Sequence, residues 1–104
     1  MTYLVQRPPF MDEPTCRFGF NWQWWATRPA TYQIFVGDQS YIGKARCLKK
    51  RLRPHSHKWV DHATRFRVLS IFDDGVSETE LCNAEAYWID LLRPELNVTP
   101  VYFK

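Results

Sequence analysis

No stretch of this 104-residue chain approaches the roughly 20 consecutive apolar residues that a membrane-spanning helix requires. Residues 1–10 also lack the basic-then-apolar order of a secretory signal, so a cytoplasmic location is expected. Cysteine is sparse: Cys16, Cys47 and Cys82 are far apart, odd in number and form no CxxC pair. That argues against a disulfide framework or a zinc knuckle and favours free thiols. No internal repeat or low-complexity tract is present, and despite 7 prolines a hydrophobic fraction of 45% argues against disorder. Acidic residues are missing from one segment in particular. Between Lys44 and Lys58 stand Lys44, Arg46, Lys49, Lys50, Arg51, Arg53 and Lys58, with no carboxylate among them. The net charge of +3 is therefore concentrated in one block, which points to a phosphate- or nucleic-acid-facing surface more than to a merely solvated helix face.

What is present reads as one small domain behind an aromatic, proline-rich arm. Residues 1–29 hold Pro8, Pro9, Pro14, Pro29 and the run FGFNWQWW. Trp22, Trp24 and Trp25 could stack on nucleic-acid bases, but packing onto the domain is the stronger reading. Residues 30–104 form the body. Tyr32 to Val36 is rich in β-formers, and Gly37-Asp38 suits a two-residue hairpin turn with glycine first. In that register Val36 pairs with Gln39, Ile34 with Tyr41 and Tyr32 with Gly43. Tyr32 and Tyr41 then share one face, and Gly43 leaves an open space beside both phenols. ARCLKKRLRPH follows as a short helix with Leu48 and Leu52 inward, which sets Arg51 and His55 one turn apart, although Pro54 tightens or ends that turn. Thr64 to Phe72 alternates as a third strand, and a long helix begins at Ser77 and stops before Pro94. The expected fold is α+β: a small three-stranded antiparallel sheet flanked by helices.

One residue of that last helix needs an explanation. Ser77 as N-cap and Glu80 three residues on form a capping box, and Leu81, Ala84, Trp88 and Leu92 recur at helical spacing. Glu78 and Glu80 sit in the first turn, where the helix dipole favours anions. Glu85 lies on or beside the apolar stripe, where a carboxylate must find a cation, a hydrogen-bond network, a proton or a metal.

Together the hairpin, the basic helix and the glutamate helix resemble a GIY-YIG nuclease domain. Tyr41-Ile42-Gly43 is the complete second half of the signature, whereas Ala30-Thr31-Tyr32 keeps only the tyrosine of the first. Arg51 and His55 fall where the family carries an arginine and a histidine, Glu85 in EAYWI matches the metal-binding glutamate, and Asn97 in ELNVT matches a late asparagine. The resemblance spans about Thr31 to Thr99. It implies a DNA endonuclease in which Glu85 binds Mg²⁺ (or Mn²⁺), an ion that keeps several waters and needs few protein ligands. A salt bridge from Glu85 to Arg51 is the competing explanation of that carboxylate. The reaction implied is in-line attack of water on a phosphodiester. Tyr32 or His55 would be the base, Tyr41 would position the nucleophile or phosphate, Arg51 would stabilise the added charge, and Asn97 would fix the geometry unless it is a simple turn residue. Free tyrosine titrates near about 10, so Tyr32 needs nearby positive charge for that role. Lys44, Arg46, Lys49, Lys50, Arg53, His57 and Lys58 are expected along the DNA backbone. A zinc site from His55, His57 and His62 is disfavoured, because no cysteine joins them at finger-like spacing.

Two rivals share these residues: a nucleic-acid-binding module that kept the fold but lost turnover, and a protein-interaction domain using the Trp-rich arm. DNA is the expected partner. Cutting both strands requires a homodimer or sequential nicking, and specificity would be low or supplied by a partner protein. A compact domain of this kind suits a phage or bacterial mobile-element protein.

Overall fold

The computed structural model describes residues 3–4, 11–12, 25–53, 55–63 and 65–98. Trp22, Trp24, Pro54 and residues 99–104 lie outside that set, as do the side chains of Lys58 and Val98. The elements run β1 (Tyr3–Leu4), β2 (Met11–Asp12), β3 (Ala30–Val36), β4 (Gln39–Ala45), α1 (Leu48–Arg51), α2 (Lys58–His62), β5 (Arg65–Phe72), α3 (Glu78–Leu92) and α4 (Glu95–Val98). β3, β4 and β5 form the expected antiparallel sheet, with β3 central. The arm adds two short strands: β1 and β2 both pair antiparallel with the outer edge of β5, near its two ends. No helix of the described residues is long and apolar enough to cross a membrane.

The β3–β4 hairpin has the expected register, with Val36 opposite Gln39, Ile34 opposite Tyr41 and Tyr32 opposite Gly43. Gly37 sits at φ 62° and Asp38 is not among the positive-φ residues, the pattern of a type II′ turn. Alternation sends Ala30, Tyr32, Ile34, Tyr41 and Ala45 to one face. There they meet Leu48, Leu52 and Val60 from the α1–α2 segment and Phe66, Val68 and Ile71 from β5. Trp25 is buried in the same cluster, edge-on to Phe66. The opposite face carries Ile42 and Leu69 under Trp88, and Phe72 under Val76 and Leu81 of the α3 region.

A β-bulge reconciles these two faces along β5. Tyr32 pairs with Val68 but Thr31 with Ser70, so Leu69 has no pairing partner on β3. Leu69 and Ser70 can therefore both face α3, where Leu69 packs on Trp88 and the Ser70 hydroxyl accepts from Trp88 Nε1 at 2.8 Å. Beyond the bulge, Ile71 returns to the Tyr32 face and Phe72 to the α3 face.

α3 starts on the expected capping box: Ser77 Oγ accepts from the Glu80 N–H at 3.0 Å, and Glu80 Oε1 accepts from the Ser77 N–H at 3.1 Å. It ends at Arg93 in the left-handed region, with Pro94 following. α1 has no side-chain cap; its first N–H groups, of Leu48 and Lys49, donate to the carbonyls of Arg28 and Ala26 instead. α1 is only four residues long, and besides β1 and β2 two helices unforeseen from the sequence, α2 and α4, complete the described elements.

Candidate functional site

Tyr32 and Tyr41 project from the same face of the hairpin with ring centroids 6.4 Å apart. The open space expected beside Gly43 is absent, because the Tyr32 ring fills it. A Cβ at Gly43 would lie 2.5 Å from Tyr32 Oη, 2.7 Å from its Cζ and 3.1 Å from Tyr41 Cε2. Glycine at this position lets the phenol lie flat on β4. Tyr32 is consequently 1% exposed, whereas Tyr41 is half-buried at the rim.

The histidine that joins the tyrosines is His57, not His55. His57 lies parallel to Tyr32 at 6.5 Å (24° between planes) and 5.6 Å from the Tyr41 ring, with Nε2 3.4 Å from the Tyr32 hydroxyl. The helix expected to carry His55 one turn beyond Arg51 ends at Arg51, and His55 adopts φ 67°. Its side chain swings out to 88% exposure, where Nδ1 lies 3.3 Å from Asp61 Oδ2 and the His55 N–H donates to Asp61 Oδ1 at 2.8 Å. The Ser56 hydroxyl donates to the Arg51 carbonyl and closes the same turn. Proline at 54 disfavours helical geometry in the residue before it and removes one N–H, which is the sequence signal for this reversal. His62 is exposed on α2, so the three histidines have separate surroundings.

Glu85 is half-buried on α3 and makes no hydrogen bond or ion pair among the described residues. Burial pushes its carboxyl above the ordinary value, opposed by the charges of Lys44 and Arg51 and assisted by Glu78. Burial also raises Tyr41, with Glu85 adding to the effect and Arg51 and Lys44 opposing it. His57 is displaced downward by burial and then by Arg51, against a smaller upward pull from Asp61. These mutual influences bring Tyr41, Glu85, Lys44, Arg51 and His57 into one electrostatic neighbourhood. Arg51 is exposed and, among the described residues, forms no ion pair within 4.0 Å; the Glu85–Arg51 salt bridge considered above is not made.

Asn97 acts on the backbone of β4. Its Oδ1 accepts from the Ile42 N–H at 2.6 Å and its Nδ2 donates to the Ile42 carbonyl at 2.7 Å, as a neighbouring strand would. Glu95 Oε1 accepts from the Ser40 N–H at 3.1 Å, so α4 occupies the free edge of the sheet from Ser40 to Ile42.

The basic block is divided. Lys44 and Arg46 approach Glu78 at 3.3 and 3.5 Å, which holds the Lys44 ammonium above its ordinary value. Lys50, Arg51 and Arg53 are exposed and Lys49 is half-buried. A hollow of about 320 Å³ is lined by Ala45, Arg46, Cys47, Lys50 and Arg51, so it adjoins the tyrosine site through Arg51.

Over 78 residues the chain is 40% identical to the UvrABC system protein C of Agrobacterium fabrum (strain C58). The alignment covers 67% of this chain and 11% of that protein, so the chain spans about a tenth of the relative it matches. No family model matches the sequence, and no solved structure matches it significantly. His57, expected along the DNA backbone, was not foreseen beside the tyrosines, and α2 and α4 were not foreseen at all; Pro54 signalled the first, and Pro94 followed by Glu95 was the available sign of a new helical start.

Proposed function

We propose that this chain is a GIY-YIG-type, divalent-metal-dependent DNA endonuclease that hydrolyses phosphodiester bonds by in-line attack of water. One observation carries the reading: among the described residues the half-buried Glu85 carboxylate and the exposed Arg51 guanidinium form no ion pair with each other. A guanidinium and a partly desolvated carboxylate that form no ion pair with one another suit a third, charged party. A phosphodiester satisfies Arg51, and a cation satisfies Glu85. The similarity to UvrABC system protein C supports a GIY-YIG-related nuclease.

The donor set fits a hard ion that retains its waters. Among the described residues no group of three His, Cys, Asp or Glu side chains gathers, so a caged ion has no protein ligands, but one carboxylate plus substrate oxygens suits Mg²⁺ or Mn²⁺. Glu85 would hold the ion, whose contribution when bound is to neutralise charge on the phosphate. The chain's own groups do the rest. Tyr41, with its pKa raised, stays protonated at neutral pH and donates to a phosphate oxygen or to the nucleophile. Arg51 faces the charge that grows on phosphorus, where a fixed cation is most effective. Asn97 sets Tyr41 and Gly43 by holding Ile42 between them. Lys49, Lys50 and Arg53, with Arg46, offer contacts to flanking phosphates, and the Arg46–Lys50–Arg51 hollow suits one of them.

The departure at Ala30-Thr31 is compatible with turnover. Both residues are fully buried, Ala30 in the Tyr32-face core and Thr31 in the sheet, so the change alters packing and leaves the polar groups in place. Supercoiled plasmid incubated with the protein tests the proposal: nicked or linear product with Mg²⁺ and none with EDTA. Binding without cleavage would favour the inactive module, and absence of binding the interaction domain.

A further inference from the structure

We infer that His57, rather than Tyr32 or His55, takes the proton from the attacking water, with Tyr32 and Tyr41 orienting its ring and the His55–Asp61 pair pinning the loop that presents it. The assignment rests on the nuclease reading above and names the base that reading leaves open.

Access decides between Tyr32 and His57. A general base must reach the water it deprotonates. Tyr32 is 1% exposed, with its hydroxyl between Gly43 and His57. His57 lies over it, half-buried, and its Nδ1 has no hydrogen-bond partner among the described residues. At 3.4 Å the contact from Nε2 to the Tyr32 hydroxyl is long, so stacking on Tyr32 and the tilted contact with Tyr41 carry most of the orientation. With Nε2–H donating to the Tyr32 oxygen, the Nδ1 lone pair is left for water.

Every charged or titratable group facing His57 bears on its protonation. Tyr32 and Tyr41 face it from β3 and β4, Arg51 from α1 and Asp61 from its own helix. Burial and Arg51 outweigh Asp61, so the ring is neutral at pH 7 and able to accept. In the step itself one water O–H bond breaks and its proton goes to Nδ1. The electron pair left on oxygen forms the new bond to phosphorus. The bond from phosphorus to the leaving sugar oxygen breaks, and that oxygen takes a proton from solvent; His57 then returns its own proton to solvent.

His55 has a positioning role. Left-handed at φ 67° and tied to Asp61 by both backbone and ring, it fixes the reversal that makes His57 the first residue before α2. His57 has an extended backbone and makes no side-chain cap to that helix, so its ring is available to the tyrosines.

Two measurements test the inference. The first is the ¹⁵N spectrum of the wild-type imidazoles across a pH titration, which needs no activity. His57 should be the Nε2–H tautomer with a pKa below the ordinary value of about 6.5. An Nδ1–H tautomer, or a pKa above that value, overturns the assignment. The second is the pH dependence of kcat/KM on an end-labelled duplex with Mg²⁺. Wild type should fall away below about pH 6.5 and be flat above it. H57N should lose about 10²–10⁴-fold and the part of the acid limb that His57 sets, leaving the fall that protonation of Glu85 causes. H55A should be slower but keep the limb, and imidazole should restore part of the H57A rate. A wild-type rate that climbs towards about pH 10, with H57N nearly as active, would make Tyr32 the base. Loss in H55A with full activity in H57N would return the role to His55. Either outcome leaves the nuclease reading standing, whereas a wild type silent at every pH removes both.

Discussion

Glu85 and Gly43 are the residues whose substitution separates chemistry from stability. Because its folded-state pKa is raised, the Glu85 carboxylate costs stability once pH rises through that pKa, and costs nothing below the unfolded value near about 4.3. In EDTA, Glu85→Gln should therefore melt above wild type at about pH 8, with the difference closing as pH approaches about 4. Calorimetry at the two pH values checks this, and a less stable variant at the higher pH would mean that Glu85 has a cationic partner in the fold. Gly43 behaves oppositely. Gly43→Ala puts a methyl group 2.5 Å from the Tyr32 hydroxyl, so the ring must leave its place on β4. Overpacking of this kind costs about 1–3 kcal/mol. The expected result is a lower Tm together with loss of the Tyr32–His57 contact in the aromatic NMR spectrum. An unchanged Tm would show that the ring moves freely.

The elements show which parts of the structure a local pattern can encode. The hairpin register followed from Gly37-Asp38 because a two-residue turn leaves the pairing no freedom, and α3 followed from Ser77, Glu80 and the Leu81–Trp88 spacing because caps and periodicity act within a few residues. The bulge at Leu69 was not legible, since RFRVLSIF alternates equally well with or without it. What requires the bulge is the need for both Leu69 and Ser70 to meet Trp88, a contact across the sheet. The place of His57 beside the tyrosines was missed for a related reason: helical spacing was extended through Pro54 to His55, whereas the chain reverses there and is held by Asp61. Asn97 was placed as a geometric residue, but its target, the Ile42 backbone, is 55 residues away. Asn97→Ala should cost about 1–3 kcal/mol for two unmatched backbone groups and speed hydrogen exchange at Ile42. Asn97→Asp keeps the acceptor for the Ile42 N–H but sets an anionic oxygen against its carbonyl, and should be no better tolerated. Unchanged exchange at Ile42 in Asn97→Ala would contradict the edge-strand role.

At the scale of the whole molecule, β3 and β4 present the two tyrosines, α3 carries Glu85, and the α1–α2 segment carries Arg51 and His57, so the residues of the candidate site come from distant parts of the chain. Exposed Arg46 and Lys50 line the same hollow as Arg51, so under the proposed function DNA binding is expected to depend on salt. Lys50→Ala should lower the salt slope of binding by about one unit and leave the single-turnover rate at saturation nearly unchanged, whereas Arg51→Ala should chiefly lower that rate. Equal losses of rate from both would remove the special place given to Arg51. The most direct test of the central claim is the single-turnover cleavage rate of an end-labelled DNA duplex by wild type and Glu85→Gln, each saturated with DNA in Mg²⁺. Wild type should cleave in Mg²⁺ and stop in EDTA, while Glu85→Gln should bind DNA, remain folded and cleave at least about 10³-fold more slowly, the scale on which a metal's charge stabilisation acts. Cleavage by Glu85→Gln at the wild-type rate would contradict the account.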